Sequence, residues 1–111
     1  MNNKAGKMTI RLPKDRPPIH PGEILLEEYM LPHDITQQEM AIHLKISRKH
    51  LIDIIRARRP LSLEIAQRLA KIFQTSIDFW IKGQMAYDLW YAVRNPSREL
   101  KSIKPLKLSM N

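Results

Sequence analysis

Apolar and polar residues between positions 21 and 94 alternate with the period of an α-helix and predict five helices. The first begins at Pro21, whose missing N–H costs nothing at a helix start, and Pro32 is expected to end it. Its expected buried stripe consists of Ile24, Leu25, Tyr29 and Leu31. Its glutamates face water near the N-terminus, where the helix dipole favours negative charge. They are Glu23, Glu27 and Glu28.

Hydroxyl residues mark the starts of the other four helices, because a Ser or Thr side chain satisfies a free backbone N–H group there. Thr36, with Glu39 three residues later, forms a capping box that starts the second helix at Gln37. The expected caps of the third, fourth and fifth helices are Ser47, Ser62 and Ser76. Gly83 lies inside the fifth helix at a cost of up to about 1 kcal/mol, so a close contact or a kink is expected there.

The second and third predicted helices are short, and only Lys45 and Ile46 form the turn between them, which is the pattern of a helix-turn-helix unit. Two short helices that cross steeply need a small residue at the crossing, and Ala41 supplies it. Apolar anchors occur at the required distances, at Met40, Leu44, Ile46, Leu51 and Ile54. We therefore predict an all-α fold in which the start of the third helix is free to enter the major groove.

Both ends of the chain lack a helical period. Residues 1–20 are basic and rich in Pro and are predicted to form an N-terminal arm, in which residues 8–13 form an edge strand only with a partner. Pro96 is expected to end regular structure, which leaves 95–111 as a basic tail. The expected organisation is an arm (1–20), a helical domain whose last helix serves dimerisation (21–94), and the tail.

Composition and charge narrow the function. The formal net charge of +8 favours a polyanionic partner, with nucleic acid as the first candidate. Residues 35–59, which include the predicted helix-turn-helix, contain six Lys or Arg against Glu39 and Asp53. The absence of Cys excludes disulfides, Cys-based zinc sites and a Cys nucleophile. No apolar run is long enough to span a membrane, so no membrane partner is predicted and the expected location is the cytoplasm.

The exposed positions of the third helix suit DNA recognition. Arg48 can donate two hydrogen bonds to guanine O6 and N7, and Lys49 reaches the same base edge. Asp53 either accepts a hydrogen bond from cytosine N4 or orients Lys49 or Arg56. Phosphate contacts are expected at the helix N-termini and in the basic loop after the third helix. The candidate residues are Gln37, Ser47, His50, Arg56, Arg58 and Arg59.

Other interpretations explain fewer of these features. A helical bundle with a merely solvated basic face leaves the coincidence of anchors, caps and basic block unexplained. The histidines at positions 20, 33, 43 and 50 contain no H-x-x-x-H pair, so neither a metal nor another cofactor is predicted. No Ser, His and Asp set is placed by a recognisable catalytic motif, so no enzymatic activity is expected.

Several segments resemble the HigA-type antitoxins, a branch of the Xre or lambda-repressor-like helix-turn-helix proteins. Besides the helix-turn-helix itself, they are HPGEILLEEY (20–29), ISRKHLIDII (46–55), RLAKIFQTSIDFW (68–80) and YDLW (87–90). The resemblance covers about residues 17–92. It implies a five-helix lambda-repressor-like domain, a homodimer and a repressor that binds its own operator. It also implies a HigB-type partner toxin, an mRNA endonuclease of the RelE-like class.

By position, the resemblance assigns base contacts to Arg48, Lys49 and Asp53, and phosphate or groove-edge contacts to Gln37 and Ser47. Two places depart from the family pattern. Lys45 occupies a turn position that is often Gly, which predicts a positive φ angle at a cost of about 1 kcal/mol. The loop after the third helix, often Asn-Gly, contains three arginines between positions 56 and 59, which are expected to strengthen phosphate contact.

The fifth predicted helix carries more aromatic side chains than so short a chain can easily bury. Part of it is therefore expected to form the homodimer interface, through Phe79, Trp80, Tyr87 and Trp90. The first helix is the alternative dimer surface. A toxin would bind the acidic face formed by Glu23, Glu27, Glu28 and Asp34.

Three functions fit these patterns. The first is an antitoxin that also represses its own operon as a homodimer on a palindromic site. The second is a solitary transcription regulator of the same fold without a toxin. The third is an interaction module that mainly masks a toxin, with DNA binding secondary. A RelE-like reading frame immediately upstream would separate the first from the second.

Overall fold

A computed structural model describes residues 12–109, and the regular structure in this range is entirely helical. The first helical segment joins α1 (Pro21–Ile24), a π-helical stretch (Leu25–Met30) and a 3-10 turn (Leu31–His33). It is followed by α2 (Gln37–Leu44), α3 (Arg48–Ile55), α4 (Leu63–Phe73), α5 (Ile77–Arg94) and α6 (Arg98–Ser102). The predicted all-α helix-turn-helix fold is confirmed.

The predicted N-caps of α2 to α5 are confirmed. The hydroxyl groups of Thr36, Ser47, Ser62 and Ser76 each accept the backbone N–H three residues later, at 3.0 to 3.2 Å. The N–H of Thr36 donates in return to the carboxylate of Glu39 at 2.9 Å, which completes the capping box. At α1 the cap is His20, whose Nδ1 accepts the N–H of Gly22 at 2.9 Å. Local chemistry therefore defines the start of each of these five helices.

The predicted helix ends differ from the structure in two places. Pro32 does not end the first segment but lies inside its 3-10 turn. Because Pro has no N–H to donate and its ring opposes the carbonyl four residues earlier, the helix before it widens, and Leu31 donates to the carbonyl of Leu26. The tail is not wholly irregular either, since α6 follows Pro96. The strand predicted at 8–13 lies mostly outside the described residues, and Leu12 and Pro13 form no strand.

Four helical segments end on a non-glycine residue in the left-handed conformation, with φ between 55° and 60°. These residues are Asp34, Lys45, Ala57 and Gln74. After each of them the next N–H donates to the carbonyl five residues earlier, as Ile46 does to Ala41 at 3.1 Å, which is the Schellman arrangement. The positive φ predicted for Lys45 is confirmed at 58°.

The core lies between the first helical segment, α2, α3, α4 and the start of α5, with Trp80 at 0 % exposure among its members. Of the predicted anchors, Ile46 is half-buried and the others are buried, namely Met40, Ala41, Leu44, Leu51 and Ile54. Tyr29 contributes from the first segment, with its ring centroid 5.3 Å from that of Trp80. Leu31 is 57 % exposed and does not belong to the buried stripe.

Neither a kink nor an unusually close contact is found at Gly83. Helix α5 continues through it, and a Cβ added there would meet the Pro21 side chain at 3.6 Å, an ordinary van der Waals distance. Of the two glycines in the described part of the chain, packing requires Gly22, where α1 meets the end of α3.

Residues 12–19, called the N-terminal strap below, form no helix but are fastened to α5. The indole N–H of Trp90 donates to the carbonyl of Pro13 at 2.8 Å. The guanidinium of Arg94 stacks on the Trp90 ring at 3.9 Å and donates to the carbonyl of Lys14 at 3.0 Å. Part of the predicted arm is thus attached to the helical body. Within residues 12–109, no helix is both long and apolar enough to cross a membrane.

Candidate nucleic-acid interface

A residue from α4 holds the C-terminal end of α2, the first helix of the helix-turn-helix. Arg68 donates to the carbonyl of Leu44, at the C-terminal end of α2, at 2.8 Å. Its other nitrogen is held by Glu64 at 2.6 Å. A cation at this end of α2 satisfies a free carbonyl and complements the helix dipole. Sequence reasoning missed Arg68, and the only local signal for it is the Glu64–Arg68 spacing of four.

The first turn of α3 is open to solvent. Arg48 and Lys49 are both exposed, and Ser47 lies beside them with its hydroxyl used as the cap. Lys49 remains 83 % exposed although its Nζ donates to Asp53 at 3.0 Å. Arg48 has no hydrogen-bond or ion-pair partner among residues 12–109. The two predicted base-contacting cations therefore differ, because Lys49 is held and Arg48 is free.

Asp53 is the centre of a charged cluster that consists of Lys49, Asp53, Arg58 and Arg59, called the Asp53 cluster below. The Asp53 side chain is only 12 % exposed. Besides Lys49, Arg58 lies 3.5 Å and Arg59 4.0 Å from its carboxylate oxygens. The structure thus pairs Asp53 with Lys49, as one sequence interpretation expected, but with two loop arginines in place of Arg56.

The backbone brings those arginines back to Asp53. Ala57 adopts φ 60° after the end of α3, and its N–H donates to the carbonyl of Ile54 at 3.0 Å. The N–H groups of Arg58 and Arg59 then donate to the Asp53 carbonyl at 2.8 and 3.1 Å. Residue 53 is consequently bound to the loop through both its carbonyl and its carboxylate.

The charge states of the site follow from these contacts. The hydrogen bond from Lys49, helped by the positive charges around it, lowers the pKa of Asp53 despite its burial, so the carboxylate stays ionised at neutral pH. Burial lowers the pKa of His50, Arg59 lowers it further, and Asp53 opposes part of this shift. A neutral imidazole is therefore favoured at neutral pH, and His50 can offer an N–H donor more readily than a positive charge.

The remaining predicted phosphate contacts are accessible to different degrees. Arg56, like the two arginines of the Asp53 cluster, is exposed, and Gln37 is half-buried at the first position of α2. Because the Ser47 hydroxyl already accepts the His50 N–H, the backbone N–H groups of Arg48 and Lys49 are the ones left for an anion.

The predicted dimer residues do not form one open surface. Trp80 is wholly buried and donates its indole N–H to Thr75 at 2.8 Å, so its assignment to an interface is corrected to the core of the single chain. Tyr87 packs edge-on against His20 at 4.7 Å, Trp90 is half-buried under the strap, and Phe79 is 44 % exposed. Further exposed apolar side chains of α5 are Ile77, Leu89 and Val93.

The acidic side chains of the first segment, Glu23, Glu27 and Glu28, are exposed, as is Asp34. Within residues 12–109, no three His, Asp or Glu side chains converge closely enough to hold a metal ion.

Comparisons with known proteins agree with the helix-turn-helix fold. The helix-turn-helix family model HTH_3 matches residues 26–80. The HTH-type transcriptional regulator YbaQ of Escherichia coli is 44% identical over 80 residues, which are 72% of this chain and 71% of that protein. Antitoxin HigA-1 of Vibrio cholerae is 30% identical over 95 residues, or 86% and 90% of the two chains.

Among solved structures, the Pseudomonas aeruginosa antitoxin HigA with the higBA promoter has 38% identity and a TM-score of 0.67. The match covers 81% of this chain and 99% of that one. The resemblance inferred from the sequence segments is confirmed: this chain belongs to the helix-turn-helix family that includes the HigA antitoxins.

Proposed function

We propose that this protein is a homodimeric repressor that binds a palindromic operator through the major groove, and that it is also the antitoxin of a HigB-type, RelE-like toxin. The observation that carries the DNA-binding part is the exposed start of α3, with unpaired Arg48 beside Lys49 and the Asp53 cluster behind them. The solved structure of the Pseudomonas aeruginosa relative with the higBA promoter supports DNA binding by this chain as well. As a DNA-binding regulator, the protein acts in the cytoplasm.

Arg48 and Lys49 are the proposed base contacts, because both are exposed in the first turn of α3, the helix proposed to enter the groove. Arg56, Arg58 and Arg59 contact phosphates on one side, and the N-termini of α2 and α3 with Gln37 and Ser47 do so on the other. His50 contributes an uncharged hydrogen bond. A two-fold dimer would place two α3 helices about 34 Å apart, facing successive major grooves.

The exposed apolar side chains of α5 are the proposed dimer surface, with Phe79, Leu89 and Val93 at its centre. Apolar groups that lack a cover within residues 12–109 favour association, and burying them in a second copy removes them from water. The exposed acidic face around Glu27 is the proposed toxin surface, since its charge complements a basic RNA-binding nuclease.

A solitary regulator without a toxin is the second candidate. The similarity to the Escherichia coli relative favours it, because that protein carries a regulator's name and is 44% identical. The two candidates share the DNA surface and differ only in the toxin. An upstream RelE-like reading frame and rescue of cell growth by co-expression would support the antitoxin.

The DNA-binding part is tested by measuring affinity for the protein's own promoter and for a scrambled duplex. The Arg48→Ala, Lys49→Ala double variant should lose on the order of 100-fold in promoter affinity, since each base contact contributes about 1–3 kcal/mol. Lys71→Ala with Arg98→Ala removes the same charge at exposed sites of α4 and α6, so it should change promoter affinity much less. Equal losses in the two double variants would refute base recognition by α3.

A salt series tests the electrostatic part separately. The three arginine–phosphate contacts on each protomer, at Arg56, Arg58 and Arg59, would make the promoter affinity fall steeply as salt rises, with a log–log slope near −0.9 for each contact. A slope near zero would rule out the proposed phosphate contacts even if the protein binds DNA.

A further inference from the structure

The geometry points to a positioning role for Asp53: its carboxylate holds Lys49, Arg58 and Arg59 in one unit and thereby determines operator specificity without touching a base. This inference rests on the proposed DNA-binding function. It replaces the base contact that the family resemblance assigns to Asp53.

Burial and occupancy argue against direct base contact. The Asp53 side chain is 12 % exposed, and cations approach both of its oxygens, Lys49 and Arg59 at Oδ2 and Arg58 at Oδ1. A cytosine amino group would have to displace one of these cations and enter a space that the loop covers. Charge-assisted contacts of this kind are costly to break here because the Asp53 carboxylate, unlike its exposed partners, would stay nearly buried without them.

The contact with Lys49 allows Asp53 to position the ammonium group of that side chain. An ammonium group has three N–H donors, so Lys49 can keep its bond to Asp53 and still present two donors to a base edge. A side chain fixed in this way loses less conformational freedom on binding than a free one. Arg48, which lacks such a support, must pay that entropy when it binds.

The Arg58 and Arg59 contacts extend the role to the DNA backbone. Their N–H groups bind the carbonyl of residue 53 and their guanidinium groups face its carboxylate. The loop arginines and the base-facing lysine therefore share one anchor at a fixed point of α3. Phosphate contacts set the register in which base contacts form.

The direction in which DNA affinity changes when the Asp53 carboxylate is removed separates a positioning role from simple electrostatic repulsion. A carboxylate near DNA repels phosphates, so its loss should strengthen binding to any sequence if charge alone matters. If Asp53 positions the three cations, its loss should weaken operator binding while leaving or strengthening the binding of scrambled DNA.

We therefore expect Asp53→Asn to lower operator affinity on the order of tenfold and to leave affinity for a scrambled duplex equal or higher. The matched control is Asp78→Asn, which removes a carboxylate that also pairs with a lysine four residues away, Lys82 at 3.6 Å, but on α5. Circular dichroism at the assay temperature checks the fold. Should Asp53→Asn not fold, Asp53→Glu keeps the charge but displaces it, and operator affinity should still fall.

A double-mutant cycle with Lys49→Met tests whether Asp53 acts through Lys49. Non-additive losses in operator affinity are expected, because the second substitution removes a partner that is already released. Additive losses of operator affinity in the cycle would overturn the positioning role. So would an affinity loss in Asp53→Asn that is confined to one base pair and is not seen in Lys49→Met. Equal changes in operator affinity for Asp53→Asn and Asp78→Asn would overturn it as well. Failure of the unmodified protein to prefer its promoter would instead refute the proposed function itself.

Discussion

Gly22 lies directly against the backbone carbonyl of Ile54: a Cβ on Gly22 would be 1.9 Å from that oxygen. The contact joins α1 to the last turn of α3, so no side chain fits there without moving one helix. We expect Gly22→Ala to lower the free energy of unfolding by about 3 kcal/mol, measured by urea denaturation. Gly83→Ala is the control, since its Cβ has room beside Pro21, and it should raise stability by about 0.5–1 kcal/mol. Similar effects of the two substitutions would contradict the packing described.

Stability should decrease as the pH falls from 7 to 5. Burial lowers the pKa of His20, and the charge of Asp88 offsets part of the shift. Below about pH 6.5 an unfolded histidine takes up a proton that the folded one resists, so the unfolded state is favoured as the pH falls. The neutral ring is needed because its Nδ1 accepts the N–H of Gly22, beside the phenol of Tyr87.

The control for this effect is His20→Asn, which keeps an acceptor for Gly22 but does not titrate. When the free energy of unfolding is measured by urea denaturation between pH 7 and 5, it should change less steeply with pH in the His20→Asn variant than in the unmodified protein. Because the pKa of His50 is also lowered, by burial first, some slope should remain until His50→Asn is added. An unchanged slope in the His20→Asn variant would exclude a neutral capping role.

Substitution by glycine should stabilise the protein at three residues that adopt the left-handed conformation. Lys45, Ala57 and Gln74 have φ of 58°, 60° and 57°, each at a cost of about 1 kcal/mol for a side chain. Glycine removes this cost but gains freedom in the unfolded chain, so about 0.5 kcal/mol should remain at each site. The triple glycine variant should therefore unfold at higher urea, with nearly additive single effects. A net loss would mean that the left-handed turns carry no strain.

Breaking the attachment of the N-terminal strap should expose it to protease. Trp90→Phe keeps an aromatic ring but removes the donor to Pro13, a loss of about 1 kcal/mol. Trypsin should then cut faster after Lys14, which is exposed. Tyr91→Phe, a similar change next to it on α5, should leave the cleavage rate nearly unchanged. Equal rates in both variants would show that the indole bond does not hold the strap.

The parts of this fold that the sequence revealed are those with local causes. The caps at Thr36, Ser47 and Ser62 act over three residues, and the anchors of α2 and α3 repeat within one or two turns. The left-handed turn at Lys45 was predictable for a different reason, because the family resemblance places Lys45 at a turn position that is often Gly. Such features do not depend on how distant segments pack.

The parts of the fold that could not be predicted from the sequence depend on contacts between distant segments. Arg68 reaches Leu44 across 24 residues, and Trp90 reaches Pro13 across 77. The Asp53 pairing with Lys49 has a spacing of four and was foreseen as an alternative. Its pairing with Arg58 was not, because the left-handed turn at Ala57 that folds the loop back has no glycine to signal it.

The two tryptophans give this protein two optical reporters with separate meanings. Trp80 has no contact with water in the folded state, so the shift of its emission to longer wavelength follows loss of the core. Trp90 is half-buried with its N–H bound to Pro13, so its emission and its quenching by iodide follow release of the strap. Single-tryptophan variants would therefore show whether DNA or a toxin loosens the strap while the core remains folded.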